Sequence, residues 1–475
     1  MTEARGPSAW RSRQVLLIAL PLLVIVLSAI VWAIALSRSN FWADDFLNVT
    51  QFSRSLGDLS NDRINAGRYV ANVFWAVGTY AFGAGSVIPF LTVNTLVFVT
   101  GLLTWLWVGA KARWSSLAAW WVCGLFLATS VWYQTALSSS AIGHSCGFLA
   151  LGLGLLAHER CMKTTTVRSA ALWSLASGGA WTLGVISNIL YIGLLTIAAY
   201  CAFHQFAHGR RLGAPKIRAA VAVCFWNLVL PIIYFETVAY PATTSKTQYA
   251  RNGLRYIHEN LSFYKSQLAP TAALTVAYAA VMIVALAGAI VAIRRRDWFP
   301  IAVLSAAGAT ALPALVQSQQ RAVFYMAMPL LLTFSALAAG LRPVLLGQTA
   351  RLAWPRVTLF LGTAVALLLI FAQGAEVRAY FVRTPFGDAY GLATFRSQVA
   401  ALTPEGGAIC AQLSLDAPHE ALFVAAMSGQ DGFLVPPISA AQAFLVPAGQ
   451  TCPAGASAAH ITVGLDARGD FVAAG

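Results

Sequence analysis

Apolar runs of roughly 18–23 residues recur along this chain, the length a helix needs to cross a hydrocarbon core about 30 Å thick. In lipid every backbone N–H and C=O must be paired within the protein, so runs of this kind admit helices and little else. Candidate spans cover 15–36, 86–109, 116–134, 141–157, 169–186, 188–206, 219–238, 271–293, 299–316, 323–341 and 357–374. Composition agrees: 58% of residues are hydrophobic and 10% charged, where soluble domains run near about half and about a quarter. The expected fold class is an all-α polytopic membrane protein with about eleven transmembrane helices.

The first run follows Arg5, Arg11 and Arg13. It is longer than the roughly 7–15 apolar residues of a signal core, and no small-residue cleavage site introduces a soluble domain after it. It reads as a retained first span.

Basic residues set the orientation. With the N-terminus in the cytoplasm, the short inner loops hold 18 of the 31 lysines and arginines, among them Lys111, Arg113, Arg160, Arg168 and Arg294 to Arg296. That is the asymmetry of the positive-inside rule. The outer side carries 14 of the 17 acids, so the +14 net charge belongs to the cytoplasmic face and speaks of topology and anionic lipid. Nucleic acid is excluded as a partner, because the basic residues are dispersed over six short loops. These inner loops read as plain basic anchors.

An odd number of spans leaves residues 375–475 on the outer side. Short strand-like runs ("GGAICAQLSL", "GFLVPPI", "AAHITVGLDA") follow a helix-like "YGLATFRSQVAAL", as in a small α+β domain. Cys410 and Cys452 lie in this tail, where they form either a disulfide or two buried thiols. The other five cysteines show no metal-ligand spacing.

Residues 38–75 concentrate charge that bilayer anchoring does not require: Asp44, Asp45, Asp58 and Asp62 with Arg38, Arg54, Arg63 and Arg68. Asp44 and Asp45 follow Trp42, an interface residue by type. Neighbouring side chains diverge on a helix or a strand, so one can act while the other orients it, caps a helix or holds a metal. The plain alternative is a polar linker with an N-cap. After Gly67-Arg68, the apolar residues Val70, Val73, Phe74 and Val77 fall at i, i+3, i+4 and i+7. Too short and too polar to span, this segment reads as an amphipathic helix in the outer interface.

Three more outer segments are polar. Residues 239–270 hold Lys246, Tyr249, Arg251, Arg255 and Lys265, "QSQQRAVFY" holds Arg321, and "YQTALSSSAIGHS" holds His144. An arginine fork suits phosphate through two parallel charge-assisted hydrogen bonds. Each arginine alone is more often a lipid-headgroup contact. No P-loop, HExxH, paired CxxC or GxSxG appears.

A first span, an outer loop with "DD", a "GR" opening an interfacial helix, and then many spans resemble the polytopic glycosyltransferases of the C-type fold. Within them, "ADDF...AGRYVANVFWAVG" is most similar to the bacterial serotype-converting glucosyltransferases that decorate O-antigen. Those carry a "GRPL"-like segment where this chain has "GRYV", and the motif similarity covers about residues 40–85. The resemblance implies a sugar donor linked to polyprenyl phosphate, a glycan or lipid-linked acceptor, and an active site facing the periplasm of a bacterial inner membrane. A lipid-linked donor also accounts for polar residues gathered at one interface, since its reacting carbon stays at headgroup height.

The mechanism expected is inverting displacement. Asp44 takes the proton of the acceptor hydroxyl, while Asp45 orients it or assists a divalent cation such as Mg or Mn. Arg68 and Arg321, with Arg63, Arg251 and Arg255 in reserve, stabilise the leaving phosphate. His144 and Tyr249 are candidate substrate contacts. Two other classes compete: a polysaccharide polymerase or ligase, and a lipid-linked sugar transporter or flippase. Against the transporter, charges within the spans are nearly absent.

Overall fold

The structure is a computed structural model. It describes residues 19, 21–30, 32–33, 36, 69–82, 88–129, 131–137, 141–212, 228–233, 237, 256–269, 271–316, 323–345, 398, 401–402, 409–416, 419, 443–446, 451, 459–467 and 471–474. Its helices are α1 (Pro21–Ile30), α2 (Tyr69–Phe82), α3 (Ile88–Ala112), α4 (Ser116–Ala128), α5 (Val131–Leu137), α6 (Ile142–Met162) and α7 (Val167–Ser187). There follow α8 (Leu195–Leu212), α9 (Ile257–Leu268), α10 (Ala272–Arg294), α11 (Phe299–Val316) and α12 (Ala327–Leu345). Two 3-10 segments, Ile189–Leu194 and Val323–Met326, lead into α8 and α12. Among the described residues, α3, α10 and α11 are long and apolar enough to cross a membrane.

Two compact units divide the chain. The first comprises Met1–Val31, Leu96–Thr135 and Gly143–Glu376; the second comprises Trp32–Thr95, Ala136–Ile142 and Val377–Gly475.

In the first unit, α10 turns mostly small residues inward and large apolar ones outward. On α10, Val276, Ile283, Leu286 and Ile290 are exposed, while Ala277, Ala285, Gly288, Ala289 and Ala292 are buried. Such a helix suits lipid, where association depends on close backbone approach and not on removing apolar surface from water. A Cβ on Gly288 would stand 3.0 Å from Gly340 Cα of α12. Likewise a Cβ on Gly101 of α3 would stand 2.3 Å from the Leu149 nitrogen of α6. Phe98, Phe126 and Phe148 fill the space between α3, α4 and α6, with the Phe98 and Phe148 centroids 4.8 Å apart.

Three expected spans depart from continuous helices. The run 116–134 breaks after Ala128, because side chains take the carbonyls that the next turn would need. The Thr129 hydroxyl donates to Phe126 O (2.6 Å), while Trp132 Nε1 (2.8 Å) and the Ser28 hydroxyl (3.3 Å) donate to Leu127 O. The runs 188–206 and 323–341 each begin as a 3-10 segment. The run 141–157 extends instead, to Met162. Runs 15–36 and 219–238 are helical where described, over 21–30 and 228–233, and 357–374 lies outside the described residues.

In the second unit, α2 packs on the first turns of α3. Trp75 stacks on Phe90 (4.9 Å, 26°), and a Cβ on Gly78 would stand 2.6 Å from the Phe90 ring. The buried face of α2 is Ala71, Asn72, Trp75, Ala76 and Thr79, while Val73, Val77 and Tyr80 are exposed. Of the apolar stripe expected for an interfacial helix, Val73 and Val77 are exposed, whereas Phe74 is half-buried and meets the Phe90 ring edge-on at 5.9 Å.

The same unit holds a four-stranded sheet of order β2-β1-β3-β4: β1 (Ile409–Leu413), β2 (Ala443–Val446), β3 (Ala459–Leu465) and β4 (Phe471–Ala474). β1 pairs parallel with β2 and β3, and β4 closes antiparallel on β3. A central parallel strand is covered on both faces, and Cys410, Ala411 and Leu413 of β1 are buried accordingly. β1 and β3 match two of the three expected strand runs, β2 falls outside them, and the "GFLVPPI" run lies outside the described residues.

Candidate functional site

Each end of the first unit carries a buried polar cluster, and the two differ in kind. One end is marked by Lys111, Arg160, Arg168 and Arg294 at the termini of α3, α6, α7 and α10. There Arg113 turns inward from the α3–α4 turn. Its guanidinium donates to Tyr200 Oη (3.2 Å) and His158 Nε2 (3.3 Å), pairs with Glu159, and lies 4.8 Å from the Phe299 ring centroid. Gln205 reaches the other ring nitrogen of His158 at 3.3 Å. Arg113 is thus no surface anchor, contrary to the expectation for inner loops. A lone arginine between two spans gives no sequence sign of its partner 46 positions away in α6.

The opposite end gathers the starts of α6 and α12 and the ends of α7 and α11. His144, in the first turn of α6, is buried. Asn188, the C-cap of α7, donates through Nδ2 to His144 Nε2 at 2.9 Å. The remaining ring hydrogen is then on Nδ1, which donates to Tyr191 Oη at 2.8 Å, and that hydroxyl turns back to His144 O at 3.4 Å. Tyr325 lies against the imidazole with centroids 5.5 Å apart. A ring so engaged on both nitrogens has no lone pair or proton left for a substrate in this conformation, so His144 serves as a bracket between elements.

Asn260 of α9 adds a second tie. Its amide donates to Leu315 O at 2.7 Å, one of the last carbonyls of α11, which have no partner within the helix. α9 also touches the 3-10 segment Val323–Met326. Arg255 precedes α9 by two residues, and Arg321 precedes that segment by two. Two of the expected phosphate ligands therefore belong to chain stretches that lead directly into elements in mutual contact.

Of the expected site residues, His144 and Cys410 are described. Cys410 is disulfide-bonded. Asp44, Asp45, Arg63, Arg68, Tyr249, Arg251, Arg255, Arg321 and Cys452 lie outside the described residues. Among the described residues no group of three His, Cys, Asp or Glu side chains could hold a metal. Sequence reasoning missed Asn188, Tyr191, Asn260 and Tyr325. The one signal is the break at 186–188, where an asparagine interrupts two apolar runs.

No protein-family model matches the chain, and no curated protein matches it. Among solved structures it is similar to ArnT from Cupriavidus metallidurans in the apo state, at 17% identity and TM-score 0.47 over 82% of this chain and 81% of that one. It is also similar to ArnT from the same organism bound to undecaprenyl phosphate, at 15% identity and TM-score 0.48 over 92% and 90%. Likeness at this distance carries no chemistry across.

Proposed function

We propose that this chain is a membrane glycosyltransferase of the C-type fold. It moves a sugar from polyprenyl phosphate to a glycan or lipid-linked acceptor at the periplasmic face of a bacterial inner membrane. The observation that carries the reading is the order of residues 41–82. An acidic pair follows a membrane-length run, and Gly67-Arg68 directly precedes α2, whose Val73, Val77 and Tyr80 are exposed as an interface helix requires. The disulfide at Cys410 supports an oxidising compartment for the C-terminal region 375–475, and this reading takes Cys452 as the second cysteine.

In the proposed reaction the acceptor oxygen forms a bond to the anomeric carbon as the bond from that carbon to the donor phosphate breaks. Asp44 takes the hydroxyl proton, and Asp45 orients it or assists a divalent cation. Polyprenyl phosphate departs with the electron pair, its charge met by Arg68 and Arg321, with Arg63, Arg251 and Arg255 in reserve. One displacement inverts the anomeric configuration.

The test is transfer from radiolabelled polyprenyl-phosphate sugars in membranes containing the full chain. Asp44→Asn should lower transfer by about 10²–10⁴-fold while leaving the protein folded. Uptake of label without transfer to acceptor would identify a transporter instead, and transfer at the normal rate by Asp44→Asn would remove this aspartate from the mechanism.

A further inference from the structure

The turn from α10 to α11 joins two helices that are each long and apolar enough to cross a membrane, so it stands at a membrane surface. It reads Arg294-Arg295-Arg296-Asp297-Trp298. All three arginines are exposed, and so is Trp298, at 51%. Ile290 and Val291, near the end of α10, are exposed apolar residues. Apolar side chains thus give way within about one helical turn to guanidiniums and an indole, the order of a hydrocarbon core and its headgroup layer.

Hydrogen bonds fix the backbone of this turn. The Asp297 N–H donates to Ala292 O at 3.0 Å and the Arg296 N–H to Ile293 O at 2.8 Å, the paired bonds of a Schellman stop. Asp297 Oδ1 then accepts from the Phe299 N–H at 3.1 Å, where α11 begins. Between these bonds Arg296 has a φ of 59°, the left-handed conformation in which glycine is the usual residue. It is the only non-glycine residue so placed among the described residues.

An arginine here makes the turn less stable than a glycine would. Among the described residues none of Arg294, Arg295 and Arg296 has an ion-pair, hydrogen-bond or ring partner for its side chain. Other cations at this end differ. Arg113 is engaged by Tyr200, His158 and Glu159, and Lys111 lies over the Trp107 ring at 4.8 Å. Membrane sidedness requires charge in the loop but no strained backbone, and Arg294 and Arg295 already supply that charge.

We propose that the α10–α11 turn is a docking site for anionic lipid headgroups. Arg296, with Arg294 and Arg295, meets lipid phosphates, each guanidinium through two parallel hydrogen bonds, while Trp298 lies in the interface. Three cations stand against the single carboxylate of Asp297, so headgroups with net negative charge are favoured. Lipid fits better than a soluble anion because exposed Ile290, Val291 and Trp298 place apolar surface beside the charges. No residue of the proposed transfer chemistry is involved.

The experiment is thermal unfolding of the full chain in phosphatidylcholine nanodiscs into which phosphatidylglycerol is titrated. Arg296→Gly relaxes the backbone and removes the charge. Arg296→Asn is a second variant of the same kind, since asparagine tolerates the left-handed conformation. In phosphatidylcholine alone both should melt at or above the parent. As phosphatidylglycerol is added the parent should gain more than either variant, and the fraction giving half of the gain should be about fivefold higher for the variants. Equal gains for parent and variants overturn the inference. Melting below the parent in phosphatidylcholine alone would make Arg296 a structural residue and overturns it as well. So does an equal gain for the parent from inorganic phosphate in phosphatidylcholine discs, which identifies a soluble anion as the occupant.

Discussion

Asn260 donates its amide hydrogen to the Leu315 carbonyl at 2.7 Å, tying the helix that follows Arg255 to the helix that precedes Arg321. Asn260 is fully buried, and its acceptor is a helix-end carbonyl. Replacing it with leucine keeps the volume but leaves that carbonyl unpaired at a cost of about 1–3 kcal/mol. Asn260→Leu should therefore melt earlier in nanodiscs and bind geranylgeranyl phosphate more weakly. Unchanged melting would mean that α9 is held elsewhere.

Gly288 and Gly340 set the spacing of α10 and α12. Backbone stands opposite backbone there, so an added side chain has no flexible neighbour to displace. Gly288→Val should destabilise the first unit by about 1–3 kcal/mol through overpacking. Gly308→Val, at a position whose Cβ would meet nothing within 4 Å, is the matched control and should melt near the parent.

At the basic end, Glu159→Gln keeps the shape of the side chain but removes the counter-charge of Arg113. The pair is largely shielded from solvent, with side chains 17% and 14% exposed, so the loss should be about 1.5–3 kcal/mol. Arg113→Met combined with Glu159→Leu should recover part of it, since no uncompensated charge then remains. Thermal unfolding of the three variants measures both statements. Transfer activity, placed by the proposal at the opposite end, should follow stability alone.

Asp416 in the C-terminal region accepts hydrogen bonds from the His419 ring and backbone N–H, and these hold its carboxyl below the ordinary aspartate value. A lowered carboxyl adds stability above its unfolded-state pKa and loses it as pH falls through the folded value. Carboxyl-carbon NMR should show an Asp416 midpoint below that of an exposed aspartate. His419→Ala should raise the midpoint, because the side-chain bond is the larger cause. An unchanged midpoint would mean that the contact does not persist in solution.

Several helix limits are legible in the order of residues alone. The runs expected at 86–109, 271–293 and 299–316 appear as Ile88–Ala112, Ala272–Arg294 and Phe299–Val316. Run length against bilayer thickness decides these, helped by local caps: the Thr271 hydroxyl accepts from the Leu274 N–H at 3.3 Å. The breaks are not legible in this way. The end of α4 depends partly on a serine 99 positions away, and the ring at His144 depends on Tyr191, 47 positions on.

By itself, then, the sequence determined that the chain builds apolar helices, which of their ends are basic, and that adjacent aspartates follow the first run. All three are properties of neighbouring residues. Only the tertiary structure decided which face of α2 turns to protein, that Arg113 is buried against Glu159, and that His144 brackets two 3-10 segments. Those outcomes depend on which distant carbonyls and rings reach a residue once the helices pack, and no local pattern records that.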